Sequence, residues 1–319
     1  MNRPAAKPAD PVLARVLRAI GDNRTPGLHF LGHFMGLHWR QVDEQAAVVA
    51  LDAGEHCIDE GGEVSFEGVA TLADIALANA IRARLSLSEG MRLGTISMHL
   101  TLTGEPLVGR IEATARCEGM VREALTPQGL ARCEIRAQGR LAALASGTFM
   151  QLPPPAGVRL APLPWQPGGV PAALDLGPAD LDAAERRVWR RACSARAGER
   201  PFLPALYGRS PQAFVDARGR AGARSVLPMG LHAGNRVGHA QGGISFALAA
   251  LTAIGAAPRG QRLVEASAWF LNPGQGRALR ARSVVSREGR RLSVVDTALV
   301  GAGGTRVLEM VSTHVARAP

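Results

Sequence analysis

Hydrophobic positions follow a helical spacing in four places along the chain. Residues 11–20 and 181–195 carry apolar side chains three and four positions apart, which predicts two amphipathic helices. Residues 64–81 and 243–257 are apolar at nearly every position, so the helices predicted there have no face suited to solvent. We therefore expect the second pair of helices to be buried inside the fold.

A spacing near two follows each predicted buried helix and indicates β-strands separated by glycines. These segments are 94–104, 109–119, 130–139 and 140–152 in the first half, and 262–274, 276–289, 291–304 and 305–315 in the second. A helix that is apolar on nearly every side must be covered, and a curved antiparallel sheet can cover it. The pattern therefore predicts an α+β fold in which each half wraps a sheet around one long helix.

The same order of elements occurs on both sides of a proline-rich stretch. The sequence LPPPAGVRLAPLPWQPGGVP has neither a helical nor a strand period, which is typical of a linker. We accordingly predict an N-terminal domain at 1–151, a linker at 152–180 and a C-terminal domain at 181–319.

The composition is that of a soluble globular protein, with 46% hydrophobic and 20% charged residues. The four cysteines form no C-x-x-C pair, which argues against a zinc site and a disulfide framework and suits a reducing compartment. The N-terminal residues lack the hydrophobic region of a signal peptide, and glycines interrupt the longest uncharged run, 240–258. We expect a cytoplasmic protein with no metal, no cofactor and no membrane partner.

The net charge is +10, and because Lys7 is the only lysine, nearly all of the positive charge is arginine. A basic surface favours anionic partners, but only 4% of the residues are aromatic and the basic residues form no long block, which disfavours nucleic acid. The densest basic cluster, at 274–291, includes Arg277, Arg280 and Arg282. A solvated face of a sheet and a phosphate-binding role explain this cluster equally well.

Two glycines stand where the second buried helix begins, in the sequence GNRVGHAQGGISFALAA at 234–250. The N-terminus of a helix offers free N–H groups and a positive dipole end, and Gly242 would let another group approach those N–H groups closely. The alternative is an ordinary tight turn before a core helix.

Asp74 is the only charged residue between Gly68 and Ile81, within the first buried helix. One interpretation places it on a solvent-facing stripe. The other places it inside the fold, where desolvation raises the pKa of a carboxylate and makes it a better base.

These residues resemble the signature of the PaaI-like acyl-CoA thioesterase family, in its tandem form with two hotdog domains. That signature is an Asn, then His-Gly-Gly opening the central helix, then an acid within the helix. The second half matches the opening with Asn235, Gln241, Gly242 and Gly243, with Gln in the place of His and Ala250 in the place of the acid. The first half has Asp74 at the acid position, Phe66 and Glu67 in place of the glycines, and Asp59 near the position of the Asn.

The resemblance implies hydrolysis of an acyl-CoA thioester and a role for each matching residue. Asp74 would act as general base or as nucleophile, and Gly242 would stabilise the carbonyl oxygen. Asn235 would donate a second hydrogen bond to that oxygen or orient the loop. Thr95, with Ser97 as the second choice, would position the water. Gln241 and Gly243 would contact the substrate, and Arg277, Arg280 and Arg282 would hold the phosphates of CoA.

The complementary losses predict one working site per chain, built across the two halves. Gly242 and its neighbours from the second half would face Asp74 and Thr95 from the first, whereas the other combination of Phe66 and Glu67 with Ala250 would lack a base. The resemblance also implies that such pseudo-dimers assemble into a homo-oligomer.

Two other functions share features with this chain. Hydratases of the MaoC type are also double hotdog proteins, but their catalytic helix carries the pattern D-x-x-x-x-H. In this chain Asn79 stands five residues after Asp74, where the pattern requires His. A non-catalytic acyl-CoA-binding protein, in which the halves keep the fold and lose the chemistry, is the second alternative.

Overall fold

The computed structural model describes residues 10–316, apart from 26, 86–90, 122, 173 and 209, so the outermost residues of both predicted domains, 1–9 and 317–319, lie outside it. The first half consists of α1 (Pro11–Asn23), α2 (Phe30–Met35), β1 (His38–Val42), β2 (Ala47–Asp52), α3 (Phe66–Leu85), β3 (Arg92–Leu102), β4 (Arg110–Val121), β5 (Gln128–Ala137) and β6 (Arg140–Leu152).

The second half repeats this order of elements. It consists of α4 (Ala183–Arg196), α5 (Phe202–Tyr207), β7 (Gln212–Val215), β8 (Ala221–Pro228), α6 (Gly242–Ala256), β9 (Gln261–Phe270), β10 (Ala278–Arg287), β11 (Leu292–Val300) and β12 (Arg306–Ala316). None of the helices that the structure describes is long and apolar enough to cross a bilayer.

One antiparallel sheet of twelve strands runs through both halves, in the order β1-β2-β4-β5-β6-β3-β9-β12-β11-β10-β8-β7. The strand order of each half, taken from the outer edge inward, is the same. The halves join where β3 pairs with β9, with Ser97 opposite Trp269 and Thr101 opposite Glu265. The α+β class and the tandem hotdog arrangement predicted from the sequence are thereby confirmed.

The two long helices, α3 and α6, pack against each other as well as against the sheet. Their contact is close because small residues line it: a Cβ on Gly243 would lie 2.6 Å from Cα of Thr71 and 2.7 Å from the carbonyl oxygen of Ala70. A single hydrophobic core contains buried residues of both halves, including Phe34 and Phe246. The halves therefore share one core.

The predicted helices and the eight predicted strands are present, with ends shifted by a few residues. The largest differences are at strands predicted to continue through 271–274 and 301–304, where the chain instead leaves the sheet. Proline has no N–H for a ladder and glycine adds no packing, so Pro273 and the glycines at 301, 303 and 304 end these strands. Helices α2 and α5 have six residues each and are too short to show a period.

The predicted linker has no helix or strand at 153–177 among the described residues, and it contains a short 3-10 turn at Pro178–Asp180. It nevertheless packs against the fold, because Leu160 and Leu163 are buried. Backbone atoms of Pro162 and Gly169 lie so close to Gly27 that a Cβ there would meet the carbonyl oxygen of Pro162 at 2.5 Å.

Candidate active site

The carboxylate of Asp74 lies in the middle of α3 and faces the N-terminus of α6. Asp74 is only 7% exposed. Oδ1 accepts a hydrogen bond from Oγ1 of Thr95 at 3.0 Å, and Oδ2 accepts one from Nε2 of Gln241 at 2.6 Å. The backbone N–H of Gly243 also donates to this carboxylate. Groups from β3 and from the start of α6 therefore fix one buried acid.

Burial raises the pKa of Asp74 to about 6. The hydrogen bonds from Thr95, Gly243 and Gln241 favour the charged form and oppose this effect, but desolvation is the larger influence. A carboxyl group with such a pKa is largely ionised at neutral pH and is a stronger base than an ordinary aspartate. This is the protonation behaviour that general base catalysis requires.

Gln241 is the N-cap of α6 and performs two tasks with one side chain. Its Oε1 accepts a hydrogen bond from the N–H of Ile244 at 2.8 Å, while its Nε2 donates to Asp74. An amide can accept and donate at the same time, so the residue that begins the helix also anchors the acid. The side chain is buried and holds the two halves together at this point.

The two glycines are required for different reasons. A Cβ on Gly242 would lie 2.7 Å from Oγ1 of Thr95 and 2.8 Å from Oδ1 of Asp74, so it would enter the carboxylate site itself. A Cβ on Gly243 would collide with the backbone of α3. Among the described residues, the N–H of Gly242 has no hydrogen-bond acceptor, as expected for the first residue of a helix. This N–H can therefore bind an incoming oxygen.

A bulge in β3 decides which hydroxyl faces the acid. The register against β6 shifts between Thr95 and Ser97. Since side chains alternate along a strand, the extra residue places Thr95 on the same side as the buried Met98 and Leu100, toward the helices. Ser97 lies on the opposite face of the sheet, and the structure does not bring it to Asp74.

Asn235 shapes the loop that leads into α6. Its Oδ1 accepts hydrogen bonds from the N–H groups of Val237 at 3.0 Å and His239 at 3.1 Å. Its own N–H donates to the carbonyl oxygen of His239. Within the part of the chain that the structure describes, Asn235 bonds to this loop and not to Asp74, so its position supports the site from a distance.

Arg277, Arg280 and Arg282 are exposed and lie apart from Asp74. Strand β10 turns Leu279 and Ala281 toward the core, which places Arg280 and Arg282 on the outer face of the sheet. There the guanidinium group of Arg282 lies 4.7 Å from the centre of the Phe214 ring. The structure does not bring these arginines together with the acid.

Another group of cationic residues, not singled out from the sequence, surrounds the loop before α6. Burial lowers the pKa of Arg236 to about 10, and burial together with the charge of Arg236 lowers the pKa of Arg82 to about 9. Burial and the charge of Arg92 likewise lower the pKa of His239. Arg236 and His239 lie within the Asn235–Gln241 segment, so the sequence contained a signal for them.

The linker covers the end of this site. Nε1 of Trp165 donates a hydrogen bond to Oδ1 of the buried Asn79 at 3.0 Å, five residues after Asp74 on α3. A guanidinium nitrogen of Arg236 donates to the carbonyl oxygen of Ala161 at 2.6 Å. The linker thus bridges α3 and the loop before α6.

The pseudo-symmetric position, where α3 begins against α6, has the same backbone and different chemistry. Oδ1 of Asp59 accepts hydrogen bonds from the N–H groups two and four residues later, as Asn235 does in the other half. The ring of Phe66 stacks on Phe246 with centroids 6.3 Å apart, and the buried Ala250 stands where the acid would be. This position has no carboxylate equivalent to Asp74.

Within the described ranges, no group of three or more His, Cys, Asp or Glu residues is arranged to hold a metal ion. The hydrogen bonds of Asp74 are all made to neutral groups of the protein. A carboxylate with a raised pKa next to the N–H of Gly242 is suited to proton transfer.

The chain matches no family model, and no curated protein matches its sequence. A Lactobacillus plantarum protein named as an oleoyl thioesterase has a similar structure, with a TM-score of 0.54 and 10% identity over 86% of this chain and 98% of that chain. A TesB protein from Mycobacterium avium subspecies paratuberculosis gives a TM-score of 0.50 and 11% identity over 89% of this chain and 97% of that chain. At these identities the likeness is one of fold, and it extends over most of each chain.

Proposed function

We propose that this chain hydrolyses the thioester bond of an acyl-CoA at one composite site between its two halves. The observation that carries the proposal is the buried carboxylate of Asp74, with its raised pKa, facing the N-terminus of α6. The two proteins of similar fold described above are a named oleoyl thioesterase and a TesB protein, which agrees with this assignment.

In the proposed reaction, Asp74 acts as general base on a water molecule. The hydroxyl of Thr95 donates to the carboxylate, so its lone pairs are free to accept a hydrogen bond from that water. The water oxygen attacks the carbonyl carbon as Asp74 takes the proton. The C–S bond then breaks, and the thiolate of CoA leaves with the proton returned by Asp74.

The N–H of Gly242 is the proposed donor to the carbonyl oxygen as negative charge develops there. Oxyanion donors of this kind contribute about 2.7–4 kcal/mol to transition-state stabilisation. Direct attack by Asp74, which would give an acyl anhydride, is the alternative role for the acid. It requires the carboxylate to give up hydrogen bonds to Thr95 and Gln241, and for this reason we favour attack by water.

Cationic residues around the site favour CoA as the leaving group. We propose that Arg92 and Arg236 lie along the path of its phosphates, because Arg236 belongs to the loop before α6 and Arg92 lies near His239 of that loop. Arg277, Arg280 and Arg282 face the outer side of the sheet. They can contact the phosphates only if a second copy of the chain brings its Asp74 site to that face, as the predicted homo-oligomer would allow.

The decisive experiment measures thiol release from a panel of acyl-CoA thioesters by wild-type protein and by Asp74→Asn. Asn is isosteric but cannot take the proton, and general base catalysis typically contributes 10²–10⁴-fold, so we expect a loss of that order in kcat. The control is Asp52→Asn, which removes an exposed carboxylate and leaves kcat unchanged. Circular dichroism verifies that both variants are folded.

Activity of Asp74→Asn within a few-fold of the wild type would mean that Asp74 is not the base. Loss of enoyl absorbance without thiol release would indicate a hydratase instead. Binding of acyl-CoA with neither reaction would indicate a non-catalytic binding protein. The linker, which covers Asn79 and Arg236, is compatible with that function as well.

A further inference from the structure

A cavity of about 580 Å³ opens at the pseudo-symmetric position, where α3 begins. Its walls come from both halves and are mainly aliphatic, with Val69, Leu102, Leu107, Leu248, Leu251 and Ile254 among them. Its volume is within the range of about 300–1,000 Å³ that holds small-molecule ligands in proteins. Asp74, Thr95 and Gly242 are not among the residues that line it.

No described residue of the linker lines this cavity, whereas the linker covers the other site. There the linker is held by Asn79 and Arg236. The sequence offset that aligns Asp59 of the first half with Asn235 of the second also aligns Glu60 with Arg236 and Asn79 with Gly255. Glu60 and Gly255 both line the cavity. Glycine has no side-chain amide to accept a hydrogen bond from a tryptophan, so this position lacks the anchor that the linker uses.

The charge at the cavity is the reverse of that at the Asp74 site. The loop before α6 carries Arg236, whereas the equivalent loop before α3 carries Asp59, Glu60 and Glu63. Five acidic residues line the cavity against two arginines, Arg200 and Arg262, in a chain whose net charge is +10. Phosphate groups would be repelled here, which excludes a second acyl-CoA as the natural occupant.

One of these acids lies inside rather than at the rim. Glu67, in the first turn of α3, lines the cavity and is only 5% exposed. Burial and the charge of Asp59 raise its pKa, while its own backbone N–H and the charge of Arg200 oppose this effect. Arg200 itself pairs with Glu60 at 3.7 Å. Glu67 forms no ion pair with the described residues, and a positive group brought in by a ligand would reduce the cost of burying its carboxylate.

Tyr207 also lines the cavity, and its hydroxyl does not compete for this carboxyl. The hydroxyl of Tyr207 donates to the carbonyl oxygen of His232 at 2.5 Å, so the ring of Tyr207 presents an apolar surface to the cavity. The cavity therefore combines one buried acid with aliphatic and aromatic walls.

We infer that this cavity binds a hydrophobic ammonium ligand, with its aliphatic part between α3 and α6 and its cationic head at Glu67. The site is separate from the proposed thioesterase site and does not depend on that activity. It gives the pseudo-symmetric position, which has no carboxylate equivalent to Asp74, a binding function of its own.

The test uses octylammonium, octanoate and 1-octanol as probes in isothermal titration calorimetry at pH 7, below their micelle concentrations. We expect octylammonium to bind one to one, and octanoate at least tenfold more weakly. Glu67→Gln keeps the shape and removes the charge, so it should weaken octylammonium binding at least tenfold and leave 1-octanol binding within twofold. Glu118→Gln removes an exposed carboxylate far from the cavity and should change neither.

A second variant keeps the test decisive if Glu67→Gln does not fold. Leu251→Trp fills the cavity from α6 and should abolish binding of all three probes. Equal binding of octanoate and octylammonium, undiminished octylammonium binding in either variant, or no octylammonium binding by the wild type would each overturn the inference. Thiol release at the Asp74 site is measured on the same samples, so failure of one proposal does not conceal the outcome of the other.

Discussion

The hydroxyl of Thr95 offers a quantitative test of how the candidate acid is tuned. Thr95→Val replaces the hydroxyl by a methyl group of similar size and removes the hydrogen bond of 3.0 Å to Oδ1 of Asp74. The bond stabilises the carboxylate and not the protonated acid. Its loss therefore raises the pKa of Asp74 above its present value of about 6.

The size of the shift follows from the energy of one hydrogen bond to a charged group, about 1.5–3 kcal/mol. One pKa unit corresponds to about 1.4 kcal/mol, so the pKa of Asp74 should rise by about 1–2 units. If Asp74 is the base, kcat falls as pH drops below its pKa. The acidic limb of the kcat profile should then move from near pH 6 to between about pH 7 and 8.

The assay is thiol release under saturating acyl-CoA between pH 5 and 9. Thr95→Ser restores the hydroxyl and should return the limb to its original pH, whereas Thr101→Val, on the exposed side of the same strand, should not move it. A loss of positioned water would lower the plateau of kcat without moving the limb, so the two roles of Thr95 are separable. An acidic limb that stays in place in a folded Thr95→Val protein would refute the assignment of Asp74 as the titrating base.

Three further outcomes are expected. Gly242→Ala should lower kcat at least tenfold and change the free energy of unfolding in urea only slightly, because its Cβ meets side chains. Gly243→Ala should lower the free energy of unfolding by about 1–3 kcal/mol or more, because its Cβ meets backbone. A larger loss of stability in Gly242→Ala than in Gly243→Ala would contradict the packing described. Trp165→Ala removes one hydrogen bond between the linker and α3, worth about 0.5–1.5 kcal/mol. If the linker restricts access of substrate to the Asp74 site, KM should fall about 2–10-fold, and an unchanged KM would argue against this. Residues 1–151 and 181–319 expressed separately should not give cooperative unfolding, because they share one core, and a cooperative transition in either would show otherwise.

The sequence alone determined the elements whose signals are local. The two buried helices and the eight long strands follow from periodicity, because a helix inside a sheet is apolar all round and a strand alternates. The doubling of the fold followed from the repeated order of these elements. Asp74 stood out because a single charge within an apolar helix is rare, and Gly242 because a helix seldom begins with glycine when better caps exist.

Only the tertiary structure decided how these residues meet. The bulge in β3 that selects Thr95 over Ser97 depends on pairing with β6, and strand register is set by the partner strand rather than by local pattern. The bond between Gln241 and Asp74 joins residues that are 167 positions apart. The cover formed by the linker, the cationic loop at Arg236 and the cavity at Glu67 also arise from packing between distant segments, because a side chain's burial and its nearest charges are properties of the assembled fold.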